Sequence, residues 1–524
     1  MLKALSDKTR LNWGLLLFLV LVLDVKLAIK IPVLIAACVW QLKRGRPKDA
    51  GVPPFYAVMI GIVLLDWFLF KGLKDVNYDL VAVNALFGWI YCIVAARQVR
   101  QFVAVGETDV IHRTLVVFFA LNALVSLADL IKIIWETGAF NPYLYQGMYQ
   151  KYFIRTGDYI KGISFDTSNT NAVINAFGVV YFLQKKQGWM MLICMACLLA
   201  TGSNFTNLLL LAVFVGLFVF QSDKTQKGGI LLCMLMGAFF LGKVSPQNSH
   251  YTEETLLGKT AQTKSAVTDS TEIKRKAYAQ FYMDSIRLSI WMREKAAAPQ
   301  PKTVWQPKPV IPEPDINKGE YLRRDDDTTE DQRRLYRFVD QHREDLPLSG
   351  HLPVSIEGRL EAPTPGKVTA FRQVISFLRT HPDKALTGDG AGNFSSKLAF
   401  RSAGLGIMGR YPAKYAYVSP DFLSNHLDIY LDFFGRPKQM HSLTNSPDSV
   451  YGQLLGEYGI VGVGAFLLFY AGFFARRLKR GGYGIPLLVL LLGSFFIGYW
   501  FEQLSIVILF ELLLFTETKT EIAE

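Results

Sequence analysis

The stretch GIVGVGAFLLFYAGFFA (459–475), followed by RRLKR (476–480), decides the fold class of this chain. A helix needs roughly 20 consecutive apolar residues to cross the hydrocarbon core of a bilayer, and this run comes close to that length. The basic residues after it mark the cytoplasmic side, because short cytoplasmic loops are enriched in Lys and Arg. Similar runs recur along the chain, so the sequence predicts an all-α polytopic membrane protein.

The composition agrees with this prediction. Charged residues make up only 19% of the 524 residues and hydrophobic residues 51%, whereas a soluble globular protein carries about 25% charged residues. About twelve transmembrane helices are predicted near 11–24, 27–42, 54–70, 79–96, 111–134, 170–184, 188–202, 205–221, 229–244, 459–475, 484–499 and 501–516. Asp24 and Lys26 interrupt the first apolar block, so residues 11–42 are predicted either as two spans or as one kinked element.

Basic clusters determine the predicted orientation. They lie at 43–48, 97–100, 185–186 and 476–480, and all fall on one side if there are twelve spans with both termini in the cytoplasm. This arrangement predicts a multi-pass membrane protein with the loops at 137–168 and 245–457 outside the cytoplasm. The net charge of +12 is then partly a topology signal and requires no nucleic-acid partner.

The chain thus divides into residues 1–244 with spans one to nine, the large and mostly helical extracytoplasmic loop 245–457, and residues 458–524 with spans ten to twelve and a cytoplasmic C-terminus. Residues 245–357 are predicted to be flexible, because they are polar and contain KPVIPEPD and RRDDDTTED. One segment within them, 273–295, has the pattern of a basic amphipathic helix that lies on the membrane surface or on the loop.

Residues 358–457 are predicted to be the ordered, active-site part of the loop. Apolar residues recur at helical spacing at Val368, Phe371, Ile375 and Leu378. Pro382 ends this helix after His381, and the glycines of GDGAGNF (388–394) allow a tight turn.

Three stretches resemble the O-antigen ligase and polymerase superfamily of bacterial envelope glycosyltransferases. KGISFDTSNTNAVINAFG (161–178) is similar to a family segment that carries an Asn ahead of a small residue. PGKVTAFRQVISFLRTHPDKALTGDGAGNF (365–394) has the family's Gly–basic pair, amphipathic helix, "HP" and GxGxxNF-like turn. NSPDSVYGQLLGEYGIVGVGAFLLFY (445–470) looks like the family's helix before the span that follows the large loop. Their common order makes the resemblance more specific than any one motif.

The resemblance implies a metal-independent glycosyltransferase without a cofactor. Such an enzyme moves a glycan from a polyprenyl-diphosphate carrier to an acceptor sugar or a lipid-core glycan on the periplasmic face. The leaving diphosphate requires cations or amide donors. Arginine suits this role, because its planar group binds phosphate oxygens in pairs.

The candidate site residues follow from these motifs. Lys367 stands where the family commonly has arginine, and Arg372 is the arginine expected to complement it, so both are predicted to be catalytic. The predicted substrate-binding residues are Arg155, Lys161, Asn169, Asn171, Arg359, Asn393, Asn445 and Glu457. Glu502 lies within a predicted span, where an ionisable residue lines a pocket or bonds a neighbouring helix.

The base that removes the acceptor proton is predicted to be His441, the histidine closest to the third motif. His426 and Asp448 are the alternatives. Asp448 also suits the start of a helix.

Two other functions remain open from the sequence. A transporter or flippase of envelope glycolipids would show internal repeats and broken helices, and no convincing repeat is found. A non-catalytic envelope scaffold is the third possibility. The motifs do not separate a ligase, which acts on a lipid core, from a polymerase, which joins repeat units.

Overall fold

The computed structural model describes residues 11–23, 27–44, 51–71, 75–144, 156–245, 366–404, 411–426, 429, 446–478 and 481–523. The predicted flexible part of the loop and its amphipathic helix at 273–295 lie outside these residues. Most of the described chain is helical, and no strand occurs in it, which confirms the all-α prediction for this part of the protein.

Helices that precede the large loop begin close to the predicted spans. In chain order they are α1 (Trp13–Leu23), α2 (Leu27–Arg44), α3 (Phe55–Leu65), α4 (Val76–Val105), α5 (Thr108–Thr137), α6 (Ser168–Gln184), α7 (Gly188–Ala200), α8 (Asn204–Phe220) and α9 (Lys224–Phe239). Asp66–Lys71 and Phe240–Val244 extend α3 and α9 as π-helical turns, and short 3-10 turns lie at Pro142–Leu144, Thr156–Tyr159 and Gly162–Ser164.

The described part of the loop and the C-terminal region are also helical. Their helices are α10 (Gly366–Thr380), α11 (Lys397–Ser402), α12 (Pro420–Asn425), α13 (Val450–Ala465), α14 (Gly472–Ala475), α15 (Gly484–Ser494), α16 (Trp500–Gln503) and α17 (Ser505–Ala523). A π-helical turn at Phe466–Ala471 joins α13 to α14, and 3-10 turns lie at Pro382–Lys384 and Ala413–Tyr415.

Four of the described helical segments are long and apolar enough to cross a membrane. They are Val76–Val105, Thr108–Thr137, Lys224–Val244 and Val450–Ala475, and they coincide with the predicted spans at 79–96, 111–134, 229–244 and 459–475. Shorter apolar helices include Trp13–Leu23, Gly188–Ala200 and Asn204–Phe220. Membrane association is therefore supported by length and composition, and the count of twelve spans stays a prediction.

Aromatic rings hold several of these helices together. Phe55 of α3 lies 5.5 Å from Trp89 of α4 and 5.1 Å from Phe501 of α16, measured between ring centroids. Phe466, at the end of α13, is 5.9 Å from the same Phe55 ring. Helices in a bilayer associate through close van der Waals packing, so these ring contacts hold α3, α4, α13 and α16 against one another.

The predicted span at 501–516 is divided in the structure. Leu504 has a left-handed backbone conformation, with φ of 65°, and separates α16 from α17. This break leaves the Gln503 carbonyl without a helical partner, and the buried Lys30 of α2 donates its Nζ–H to that carbonyl. The ammonium of a lysine within an apolar block thus finds its acceptor at a helix break 473 residues further along the chain.

The helix α13 is interrupted at Gly459, where φ is 62° and ψ is −158°. Beyond the break, the N–H groups of Ile460 and Val461 donate to the carbonyls of Ala385 and Leu386, each at 3.0 Å. The predicted span began at residue 459, which is where the structure has this break. The loop therefore pairs with the backbone that the interrupted helix exposes.

The chain forms two units. The first comprises described residues within Met1–Ile131, Gly157–Met236 and Arg324–Glu524, so it includes the described part of the loop together with apolar helices. The second comprises described residues within Lys132–Thr156 and Gly237–Arg323. In this second unit, Asn141 Nδ2 donates to the Val244 carbonyl at 3.0 Å, and Thr156 Oγ1 donates to the Pro142 carbonyl at 2.7 Å.

Candidate functional site

The glycine turn, residues 388–394, lies against α13 and pairs with its backbone. The Asp389 N–H donates to the Gly456 carbonyl at 2.9 Å, and the Gly390 N–H donates to the Glu457 carbonyl at 3.0 Å. The three glycines of the turn have φ of 76°, 89° and 74°, a region that L-residues rarely adopt. The predicted tight turn is therefore confirmed, and its docking place is α13.

Close approach explains why glycine is required at the contact itself. A Cβ on Gly388 would lie 2.3 Å from the backbone carbon of Glu457. A Cβ on Gly459 would lie 2.4 Å from the Leu386 carbonyl oxygen. Backbone atoms cannot move aside as the end of a flexible side chain can, so both positions exclude a larger residue.

The carboxylate of Glu457 accepts hydrogen bonds from the glycine turn. It is only 1% exposed, and its Oε1 accepts the Phe394 N–H at 3.3 Å. The Gly392 amide and the Ser396 side chain approach the same carboxylate. Glu457 was predicted to bind substrate, and the structure directs it to the protein backbone.

A second carboxylate, Glu502 of α16, lies under the next part of the loop. Its Oε1 accepts a hydrogen bond from Gln453 Nε2 at 2.5 Å, and the Leu398 amide and Lys397 approach it as well. The other side-chain atom of Gln453, Oε1, is buried and has no hydrogen-bond partner. Residues 392–398 thus lie over two carboxylates that come from different helices.

Lys367 is at the start of α10, and its side chain reaches the start of α13. Its Nζ donates to the backbone carbonyl of Asp448 at 2.5 Å. Burial of the ammonium lowers the pKa of Lys367 to about 8, and the charge of Asp448 opposes that shift. The hydrogen bond is to the Asp448 backbone, and the Asp448 residue itself is partly exposed.

These side chains form one group, which we call the charged cluster: Lys367, Lys397, Asp448, Gln453 and Glu502. Asp448 and Lys397 are both close enough to Glu502 to act on its charge. Of this group, Lys367 was predicted as catalytic and Asp448 as an alternative base. Glu502 was predicted to line a pocket or to bond a neighbouring helix, and its bond to Gln453 of α13 matches the second of these. Gln453 was not among the predicted site residues, because its partner Glu502 lies 49 residues away in the chain.

Arg372 is not brought into the charged cluster. Its side chain is exposed, and no hydrogen bond or ion pair joins it to another described residue. Five residues correspond to about 140° around a helix, so Arg372 and Lys367 lie on different faces of α10. The expectation that Arg372 lies near the same face and complements Lys367 is therefore not met in this structure.

His426, one of the alternative bases, is completely buried. Its Nδ1 lies 3.1 Å from Gln373 Oε1, its Nε2 lies 3.0 Å from Ser395 Oγ, and Ser395 Oγ is 3.2 Å from the Tyr499 hydroxyl. Burial lowers the pKa of His426 to about 3, so the imidazole is neutral at physiological pH. This arrangement suits a residue that positions the loop on α10 and on the segment before α16.

The first motif forms a separate network, the asparagine cluster, made of Asn122, Ser126, Asp129, Asn171 and Asn175. Asn171 Nδ2 donates to Ser126 Oγ at 3.0 Å and to the Ile160 carbonyl at 3.1 Å. Its Oδ1 accepts from Asn122 at 2.9 Å and from Asn175 at 2.8 Å. The predicted substrate residue Asn171 is fully buried and uses its hydrogen-bonding capacity within the protein.

The two other candidates of the first motif lie beside this cluster. Lys161 donates its backbone N–H to Asp129 Oδ2 at 3.0 Å, and its side chain is partly exposed. Asn169 Oδ1 accepts from Ser203 Oγ at 3.2 Å. No hydrogen bond between described residues joins the first motif to the second or third.

Asn393 and Asp66 meet at the glycine turn. Asn393 Nδ2 donates to the Asp389 carbonyl at 2.8 Å, and its buried Oδ1 has no hydrogen-bond partner. Asp66 accepts from the Tyr78 hydroxyl at 3.2 Å, and a Cβ on Gly390 would lie 2.1 Å from Asp66 Oδ2. Sequence reasoning missed Asp66, although an aspartate inside a predicted span was a signal.

Four candidates lie outside the described residues: Arg155, Arg359, His441 and Asn445. Their assignments stay predictions. Within the described parts of the chain, no group of three or more His, Cys, Asp or Glu side chains is placed to hold a metal ion.

Comparisons with known proteins found no relative: no family model, no curated protein and no solved structure matches this chain.

Proposed function

We propose that this protein is a membrane glycosyltransferase of the O-antigen ligase or polymerase type. It moves a glycan from a polyprenyl-diphosphate carrier to an acceptor sugar or lipid-core glycan at the periplasmic face of a bacterial inner membrane. The observation that carries the proposal is the charged cluster, in which Lys367 binds the Asp448 backbone carbonyl and the charges of Lys397 and Asp448 act on Glu502. This cluster lies where the second and third motifs are paired through their backbones.

The cluster supplies the groups that this reaction requires. The bond between the anomeric carbon and the phosphate oxygen breaks, and the diphosphate leaves with its electron pair. The acceptor hydroxyl oxygen bonds the anomeric carbon and gives up its proton. Lys367 and Lys397 are cations suited to the leaving diphosphate, and Asp448 is a partly exposed carboxylate suited to accept the proton. His441 stays the alternative base.

The contacts at the two ends of α4 support the proposed topology. At its beginning, Asn77 Nδ2 donates to the Ala416 carbonyl of the loop at 3.1 Å. At its end, Lys519 of α17 donates to the Val103 carbonyl at 2.7 Å. Thirty helical residues extend about 45 Å, so the loop and the C-terminal helix end at opposite ends of a candidate span. Twelve spans with both termini in the cytoplasm and loop 245–457 in the periplasm agree with these contacts.

A transporter or flippase is the second candidate function, favoured only by the breaks at Gly459 and Leu504. Transporters place broken helices at their substrate sites. Here the backbone freed at Gly459 is bonded by the loop, and the carbonyl freed before Leu504 is bonded by Lys30. Both breaks are thus used by the protein itself, which weighs against a transport site.

The function is tested by deleting the gene and separating the surface glycans on a gel. Single repeat units in place of a ladder would identify a polymerase. Loss of lipid-core-attached glycan with long chains still on the carrier would identify a ligase. Glycan trapped on the cytoplasmic face would instead identify a flippase, and normal glycan together with normal lipid carrier would contradict the enzyme.

The orientation is tested separately by cysteine labelling. Single cysteines at Lys302 or Asp325 are expected to react with a reagent that does not cross the inner membrane. Labelling only after that membrane is broken would reverse the proposed orientation.

A further inference from the structure

An arginine with an unsatisfied nitrogen lies on α11. Arg401 is partly exposed, and its Nε is buried without a hydrogen-bond partner. No ion pair joins its guanidinium to a described carboxylate. A buried donor on a charged group that is left unpaired is destabilising, so buried polar groups of this kind normally have a partner. Among the residues that the structure describes, Arg401 Nε therefore remains a donor available to a ligand.

Two further polar side chains lie at the same place. Burial raises the pKa of the Tyr411 hydroxyl, while the charge of Arg401 and the Asn84 side chain are close enough to lower it. Asn84 is exposed, although it belongs to α4, a candidate membrane span. A guanidinium, a phenol and an amide therefore converge, and all three can donate hydrogen bonds to the same ligand.

Arg401, Tyr411 and Asn84 lie near the first turns of α4. Leu398 of α11 packs on Tyr78, Val81 and Ala82, so α11 lies against the first turns of the span. Asn84 follows the start of α4 by about 12 Å along the helix axis. The trio is therefore at the level where the polar loop meets the apolar part of α4.

An exposed apolar face continues from Asn84 along the same helix. Phe87 is 49% and Ile90 41% exposed, and the Phe87 and Tyr91 rings stack at 6.2 Å. Positions 84, 87 and 91 share one side of a helix. A ligand that reaches Arg401 with an anionic group would have its apolar chain against this face.

We infer that Arg401, Tyr411 and Asn84 form a binding site for the phosphate group of a membrane lipid. The guanidinium binds phosphate oxygens in pairs, the phenol and the amide donate further hydrogen bonds, and the lipid chain lies along Phe87 and Tyr91. The diphosphate of a polyprenyl carrier and the headgroup phosphate of an anionic phospholipid share this chemistry. Only the first of these two sources rests on the proposed function.

Lipid binding to the purified, delipidated full chain tests the inference. Native mass spectrometry would measure the affinity for three probes: a polyprenyl diphosphate without glycan, the corresponding polyprenol, and phosphatidylglycerol. Arg401→Gln removes a charge-assisted contact worth about 1.5–3 kcal/mol, so its affinity for phosphate-bearing lipid is expected to fall about ten- to hundredfold. Its affinity for the polyprenol is expected to stay unchanged.

Matched variants separate binding from folding. Arg379→Gln removes an exposed arginine from the same loop and is expected to bind all probes as the unaltered protein does. Arg401→Lys keeps the charge without the planar fork and is expected to lose about three- to tenfold. Tyr411→Phe is expected to lose several-fold. Thermal unfolding of each variant identifies a change that comes only from misfolding.

The outcomes separate the two lipid sources and the two proposals. A loss confined to the diphosphate assigns the site to the polyprenyl carrier, and a loss for both phosphate lipids assigns it to lipid phosphate in general. Unchanged affinity for both phosphate lipids in Arg401→Gln, or an equal loss for the polyprenol, would overturn the inference. Because no transfer is measured, failure of the glycosyltransferase proposal would leave the binding result standing.

Discussion

The asparagine cluster and the charged cluster are both polar, but they differ in how far their groups are satisfied. Asn171 makes hydrogen bonds through both side-chain atoms and is fully buried. In the charged cluster, Gln453 Oε1 has no partner, and Asp448 is partly exposed. A network that is fully satisfied within the chain fixes a fold, whereas an acceptor without a partner, such as Gln453 Oε1, is available to a ligand. Motif resemblance had treated the two regions alike.

The largest effect is expected from Gly388→Ala, which would prevent the charged cluster from forming. The added Cβ meets the Glu457 backbone at 2.3 Å, in a left-handed conformation. Strain and overpacking together are expected to cost about 3–5 kcal/mol. Thermal unfolding and proteolysis would show a destabilised loop, and surface glycan would be lost.

Gly464→Ala is the matched control for this variant. Gly464 lies in α13, the helix that Gly388 contacts, and an added Cβ there meets nothing within 4 Å. Alanine favours a helix over glycine by about 1 kcal/mol. Equal stability of the two variants would show that the glycine turn does not depend on this close contact.

The charge of Lys367 is expected to make the transfer rate depend on pH. An ammonium with a pKa of about 8 is mostly charged at pH 7 and mostly neutral at pH 9, so transfer that needs the charge falls as pH rises. Lys367→Gln is expected to lower the transfer rate about a hundredfold at pH 7. Lys367→Arg stays charged and is expected to lose the alkaline decline. Transfer by purified protein between pH 6 and pH 10 measures both effects.

Arg379→Gln, which changes an exposed cation on the same helix, should keep the rate and the pH profile of the unaltered protein. An alkaline decline that persists in Lys367→Arg would assign the titration to another group.

The asparagine cluster is expected to respond in stability alone. Asn171→Leu leaves buried partners on Asn122, Ser126 and Ile160 unpaired, so a loss of about 2 kcal/mol in the free energy of unfolding is expected. Asn207→Leu is the control, because both amide atoms of Asn207 are buried without partners, and it should be neutral or stabilising. If the transfer rate of Asn171→Leu falls by more than its amount of folded protein does, the first motif takes part in the reaction.

Local patterns predicted much of the fold. The apolar runs predicted the helices at 79–96, 111–134 and 229–244, because a helix buries a contiguous apolar stretch whatever lies elsewhere in the chain. Pro382 ended α10 where expected, and the glycine turn has the left-handed backbone that its three glycines permit. Such features depend on neighbours within a few residues and can be read from a single stretch.

The site depended on contacts between distant residues and was predicted only in part. Lys367 was found through a motif, but its partner Asp448 lies 81 residues away. Glu457 was assigned to substrate, yet it accepts the Phe394 N–H from 63 residues earlier in the chain. Arg372 shares a helix with Lys367 but not its face. No periodicity indicates which carboxylate meets which amide, because that depends on how the helices pack.

Hydrophobicity and backbone freedom are local properties, so the order of residues was enough to predict a helical membrane protein with a glycine turn ahead of its last apolar helices. Which polar residues serve the fold and which are left for a ligand depends on how the helices pack. Hydrogen-bond partners depend on tertiary packing. The sequence therefore does not distinguish Asn171, whose side-chain atoms are all hydrogen-bonded, from Gln453 and Arg401, each of which has a buried atom without a partner.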